Sequence, residues 1–251
     1  MFFISIIYIY IYIYVCVLRS FHFVIGSLDC THWGWLNCPT AWRGQFTRGD
    51  HPGPTIMLEA VASQDTWIWH AYFGVAGSNN DINVLNQSPL FNYYEDGTTP
   101  VIPFTINGTE YKYPYFLVDG IYPRYAMFVK TIPHPTGEKR IRFSKAQEAA
   151  RKDVERAFGI LKKKWKILKE PARPMDENPI RKMMYACVIL HNMILKDEGF
   201  ALCPDHIPDP PVQPHHSDER VAEIQDQNIH EVLRMDLIDH IHETFIPGLD
   251  R

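Results

Sequence analysis

The chain has 251 residues and a mass of 29.2 kDa, with 46% hydrophobic and 22% charged residues, a balance that excludes a disordered chain and a coiled-coil rod. Lys and Arg number 25 against 29 Asp and Glu, a net charge of −4, which excludes binding a polyanion by bulk charge alone. The average hides a division, because from Ala201 onward eleven acids face three bases while the first 200 residues carry a net +4.

Residues 1–22 are set apart. Phe2 to Leu18 is uncharged, and Tyr8, Tyr10, Tyr12 and Tyr14 alternate with Ile9, Ile11 and Ile13. As a helix the stretch reaches ~25 Å, short of the ~30 Å hydrocarbon core. It also lacks the basic start and small-residue cleavage site of a signal peptide. Alternating A and T in the coding strand reads as Ile-Tyr-Ile-Tyr, so the stretch is taken as a low-complexity artefact rather than a membrane anchor.

The remainder divides into residues 23–200 and a Pro-rich linker with an acidic tail, 201–251. Phe23 to Asp29 is a predicted buried strand ending in an acid. Residues 33 to 54 are loop-like, rich in Gly and Pro. Thr55–Ser63 and Thr66–Gly74 form a predicted hairpin turning at Gln64-Asp65. A short helix is expected over Ile82–Leu90, with Asp81 near its start. Gly, Pro and Thr fill 96 to 110, and Tyr113 to Asp119 is a second apolar strand ending in an acid.

Two helices follow. Ser144-Lys-Ala-Gln147 has the pattern of a capping box, and behind it Val154, Phe158, Leu161, Trp165 and Leu168 recur at steps of three and four. Pro171 and Pro174 close that helix. Asn178 and Pro179 suit the start of the next one, which is apolar nearly all round to Gly199. Five prolines between Pro204 and Pro214 mark the linker, and Ser217–Phe245 has a modest amphipathic pattern expected to give one acidic helix. The five scattered cysteines argue against a disulfide framework and for a reducing compartment. Cys30, His32 and Cys38 lack the second ligand pair of a zinc site.

Asp29, Asp119 and Glu155 stand out as acids beside apolar runs, where a carboxylate is costly unless paired or holding a cation. Three unrelated, salt-bridged acids is the plain alternative. Arg151, Glu155 and Lys162 share a helix face, and Gly159 leaves that face open. Carboxylates amid Arg and Lys are what two-ion phosphodiester chemistry requires. Arg151, Arg156, Lys162, Lys163, Lys164 and Lys166 are the candidates for DNA phosphate contacts. Trp33, Trp35, Trp42, Trp67 and Trp69 could stack on bases, but core packing is the default, as it is for His32 and His70. His191-Asn192 is expected to satisfy buried polar groups.

The strings Gly26-Ser-Leu-Asp-Cys-Thr-His-Trp33, Asn37-Cys-Pro-Thr-Ala-Trp42, Leu58-Glu-Ala-Val-Ala-Ser63, Trp67-Ile-Trp-His70, Asn80-Asp-Ile-Asn-Val-Leu85, Asp119-Gly-Ile-Tyr-Pro123, Arg151-Lys-Asp-Val-Glu-Arg-Ala-Phe-Gly159 and Ala186-Cys-Val-Ile-Leu-His-Asn-Met193 resemble the plant members of the PIF/Harbinger transposase family. Harbinger transposase-derived nucleases are relatives. The resemblance implies an α/β fold, an RNase H-like mixed sheet flanked by helices, to which this chain would add a C-terminal acidic helix. It implies a DDE triad mapping to Asp29, Asp119 and Glu155 as catalytic residues and metal ligands. It further implies two Mg2+ or Mn2+ ions, cutting of DNA and joining of strands, a Myb-like DNA-binding partner protein, and a nuclear location. Self-association is left open, and no membrane is expected. Family members carry a substantial segment before the first Asp, which the Ile/Tyr repeat replaces here, so a truncated copy is expected. A transposase-derived DNA- or protein-binding protein without catalysis is the competing reading.

Overall fold

The computed structural model describes residues 21, 23–99, 101–199 and 217–244. The Ile/Tyr repeat and the Pro-rich linker lie outside these residues. A five-stranded mixed sheet forms the centre, in the order β3-β2-β1-β6-β7. Strands β1 (Val24–Gly34), β2 (Thr55–Ala62) and β3 (Ile68–Ala76) are antiparallel neighbours, while β6 (Tyr115–Val118) and β7 (Phe128–Lys130) run parallel to β1. With helices on its flanks this is an α/β architecture consistent with the RNase H-like fold.

The two expected acid-ended strands, β1 and β6, are hydrogen-bonded side by side. Gly26 is where β1 and β2 come closest, since a Cβ there would lie 2.7 Å from the Ala62 carbonyl oxygen. The hairpin forms as expected, although β1 extends five residues beyond Asp29. Two short strands, β4 (Phe104–Ile106) and β5 (Thr109–Tyr111), occupy the section read as a spacer. Asn107 and Gly108, both at positive φ (51° and 88°), make their two-residue turn.

Helix α4 (Glu138–Lys164) lies on one face of the sheet. It follows three shorter helices, α1 (Arg43–Phe46), α2 (Asp81–Leu85) and α3 (Asn92–Glu95). Its Val154, Ala157, Phe158 and Leu161 share a core with Ile56, Leu58, Ala60 and Trp33, joined by Ile180, Met184 and Val188 of α5 (Glu177–Asp197). Burying each of these large apolar side chains contributes ~1.5–3 kcal/mol. The other face is covered by α2, α3 and the segments around Tyr122 and Phe128. His191 and Asn192 do the buried polar work expected of them. Asn192 accepts from the Ile68 amide at 3.0 Å and donates to the Ile68 carbonyl at 2.8 Å, and His191 Nε2 bonds the Thr66 carbonyl at 2.9 Å. Trp33, Trp35, Trp67 and Trp69 are core residues, whereas Trp42 is 41% exposed.

Helix boundaries differ from expectation in five places. Helix α2 stops at Leu85 and a 3-10 turn follows at Pro89–Phe91. Helix α4 stops at Lys164, before the prolines, because Trp165 turns extended and Lys166–Leu168 form a 3-10 turn. Helix α4 starts at Glu138, so Ser144 is a buried interior residue and no cap. The cause is tertiary: α7 (Gln227–Glu243) packs Leu233, Leu237 and Ile241 against Phe143 and Ala146, which holds the first two turns of α4 helical. Helix α5 is capped by Asp176, which accepts from the Asn178 amide at 3.1 Å. The acidic segment forms two helices, α6 (Asp218–Ile224) and α7, because the Asp226 side chain accepts from the Asn228 and Ile229 amides and restarts the chain there. No helix among the described residues is long and apolar enough to cross a membrane.

Candidate nuclease site

Strand pairing sets the two segments that carry the aspartates side by side. Ser27 is in register with Leu117 on the parallel pair; Asp29 is two residues further along β1, and Asp119 immediately follows β6. Alternation fixes the face along β1. Ser27 donates to the Ala150 carbonyl of α4 at 2.9 Å, and Leu117 packs in a cluster with Ala146 and Ala150, so Asp29, two residues past Ser27, is on the α4 side, while Asp119, just past β6, is felt by Asp81 and Lys130. Gln147 reinforces the placement, its Nε2 donating to the carbonyls of Val118 and Val129 at 3.0 Å each. This buried residue ties α4 to the ends of β6 and β7, and its role was not foreseen from sequence.

Arg151 links the third acid. Its Nη1 lies 3.3 Å from Asp29 Oδ2 and 3.0 Å from Glu155 Oε1. Asp29 also accepts from the Cys30 amide at 2.8 Å, and Asp119 from the Gly120 amide at 2.6 Å. Burial pushes the Asp29 carboxyl up to about 6, Cys30 and Arg151 oppose the rise, and the charges of Asp81 and Glu155 add to it. Asp29 is therefore a carboxylate in want of positive charge.

Asp81 stands at the start of α2, where Asn80 carries the cap, accepting from the Asn83 amide at 2.9 Å. Burial raises the Asp81 carboxyl, Arg48 and Cys30 oppose, and Asp119 and Glu59 raise it further. Asp81 thus stands within electrostatic reach of both Asp29 and Asp119.

Hard carboxylate oxygens around a partly desolvated aspartate suit Mg2+ or Mn2+ in donor chemistry. Among the described residues, no three His, Cys, Asp or Glu side chains stand close enough to hold one ion. Positive charge between Asp29 and Glu155 is supplied by the Arg151 guanidinium. Cys30, bonded to the Tyr122 hydroxyl at 3.7 Å, has its thiol pushed up by burial and stays protonated, which fits a packing role and no nucleophile. Cys30, Cys38 and Cys187 are free thiols.

The basic candidates separate into three kinds. Arg151 is engaged with the acids, and Arg156 pairs with Asp153 at 3.2 Å and reaches the Gln64 carbonyl. Lys162 donates to Thr31 Oγ1 at 3.1 Å, and burial lowers its ammonium. Lys163, Lys164 and Lys166 are exposed and have no carboxylate partner among the described residues. They sit at and just beyond the C-terminal end of α4, where the helix dipole favours cations.

A family profile described as plant transposon protein matches residues 8–201, a span that begins inside the Ile/Tyr stretch. A protein of Arabidopsis thaliana described as "Protein ALP1-like" is 26% identical over 152 residues, covering 59% of this chain and 37% of the relative. The chain therefore spans little more than a third of the length of that curated relative. No solved structure matches.

Proposed function

The chain belongs to the plant transposon protein family and is a relative of the Harbinger-type transposases, and from that membership we propose that it is a metal-dependent DNA endonuclease of transposase type. One observation carries the reading: Asp29 on β1 is joined to Glu155 through Arg151, and Asp119 directly follows β6, the strand paired in parallel with β1. Asp29, Asp119 and Glu155 would hold Mg2+ or Mn2+, with Asp81 close by. When bound, such ions polarise the attacking water and the leaving oxygen of a phosphodiester.

The protein's own contributions are positional. β1 carries one carboxylate, β6 leads into the second, and α4 delivers the third. Arg151 holds Asp29 and Glu155 in place and balances their charge before cations arrive. Lys163, Lys164 and Lys166 would meet flanking phosphates without reading bases. A Myb-like partner protein for site recognition, strand joining and a nuclear location belong to the same proposal. So does self-association.

The test is magnesium-dependent nicking of supercoiled plasmid by the full chain, lost in Asp119→Asn with the circular dichroism spectrum unchanged. Nicking that survives the substitution overturns the reading. A second reading rests on the Arg151 bridge, which neutralises two of the acids without metal: a transposase-derived protein that binds DNA and does not cut it. DNA binding with no metal-dependent nicking favours that one.

A further inference from the structure

Beyond the acids, β1 runs on to Gly34 and forms one side of a cavity of about 420 Å3. The volume is in the ~300–1,000 Å3 range of small-ligand sites. Its walls include His32, Trp35, Arg43, His51, Pro54 and Pro171. The His32 and His51 rings are 4.1 Å apart between centroids, and His32 Nδ1 is 2.8 Å from Thr55 Oγ1. Trp35 is buried behind the cavity and holds its wall in place, since its amide donates to the Pro54 carbonyl at 2.7 Å and its indole N–H to the Pro174 carbonyl at 2.7 Å. The two imidazoles, tilted 45° to each other, and the prolines form the held surfaces of the pocket.

The charge around it is mostly positive. Arg43 lines the cavity and has no carboxylate partner among the described residues. Lys162 lies beside the His32 carbonyl at 3.5 Å. Asp50 is the nearby acid, and it is engaged with Arg48 at 3.2 Å and His51 at 4.0 Å. Burial, His51, Arg48 and Lys162 together depress the His32 imidazole to about 4, against the pull of Asp50. A neutral, stackable ring at physiological pH is the result. His32 stands three residues past Asp29, ~10 Å along the strand.

We propose that this cavity takes one unpaired nucleotide of the DNA strand being processed, with its base against the His32–His51 pair and the Pro54 and Pro171 walls and its phosphate at Arg43. The inference rests on the DNA-cutting reading and adds a subsite to it. The concave space excludes a duplex and admits a single nucleotide. Flat rings and prolines offer a sequence-tolerant platform of the kind that holds splayed bases, and the arginine supplies the counter-charge.

The test is fluorescence anisotropy with the full chain in magnesium-free buffer. It compares a fully paired short duplex with the same duplex carrying one unpaired 2-aminopurine nucleotide. The wild type is expected to bind the unpaired form about tenfold more tightly, with the 2-aminopurine emission quenched by stacking. Gly53→Leu fills the pocket, because a Cβ at Gly53 meets open space, and is expected to bring the ratio to about one while paired-duplex affinity stays put. Arg43→Gln, at an exposed residue, is a second variant expected to lower the ratio should Gly53→Leu fold poorly. A wild-type ratio near one, or a ratio both variants leave intact, overturns the proposal. Plasmid nicking is scored separately: nicking with a ratio of one removes the pocket and keeps the nuclease, and the ratio without nicking does the reverse. Failure to bind either DNA overturns both.

Discussion

The two ends of α4 begin with similar charge and end in different surroundings. At the N-terminal end, Lys139 pairs with Asp239 at 2.6 Å, and Arg142 donates to the Ile241 and Thr244 carbonyls at 2.9 and 2.6 Å. The acidic C-terminal helix α7 therefore covers that end. At the other end Lys163 and Lys164 are exposed, with Lys166 just beyond. A run of basic residues along a helix is thus divided by what packs on it: Lys139 and Arg142 are engaged by α7, whereas Lys163, Lys164 and Lys166 have no carboxylate partner among the described residues. Between the two ends sit Arg151 and Glu155, joined to Asp29.

Five variants can break or sharpen this division. The largest effect is expected in the middle, where Glu155→Gln should cut magnesium-dependent nicking on the order of 10³-fold with DNA affinity retained; activity within a few-fold of wild type would remove Glu155 from the site. At the covered end, Leu237→Ala empties a fully buried position and should cost about 2–5 kcal/mol in urea unfolding. Because α7 meets no candidate phosphate contact, salt dependence of DNA binding should not move with it. At the open end, replacing Lys163, Lys164 and Lys166 together with Gln should flatten the slope of log K against log salt by about 3, whereas replacing Lys139 should leave it as it is. An equal change from both ends would erase the distinction.

The smallest expected effect lies beside the open end. Its His32 is held near 4 in the folded chain against an ordinary 6.5, so below pH 6.5 the unfolded chain takes up a proton that the folded one refuses. Folding stability from this residue is present above about 6.5 and is lost as pH falls towards about 4. His32→Gln should make the decline in melting temperature across that window shallower. A decline identical to wild type would show that His32 titrates normally.

The candidate acids were legible because local rules govern them. Apolar runs followed by an acid pointed to Asp29 and Asp119, although β1 continues past Asp29 to Gly34, and helical spacing set Arg151 and Glu155 on one face, where they pair at 3.0 Å. Gln147 was legible only as the far member of a capping box with Ser144, because its bonds to the Val118 and Val129 carbonyls depend on strand ends that no local pattern reveals. Glu59 was likewise hidden, in a hairpin arm read only as apolar strand. The carboxylate is fully buried, with Oε1 3.3 Å from His70 Nε2. The start of α4 was misplaced because Ser144 satisfies a local capping pattern that packing against α7 overrides.

The amino-acid sequence by itself determined the family, the acids and the strand-and-helix periodicities, since these depend on residue identity and on neighbours a few positions away. The tertiary structure alone decided that the strand before Asp119 pairs beside the strand of Asp29, that Arg151 bridges two acids, and which end of the basic helix α7 covers. Those facts depend on strand pairing and on contacts between segments about a hundred residues apart, and no local pattern encodes the partner that a surface will meet.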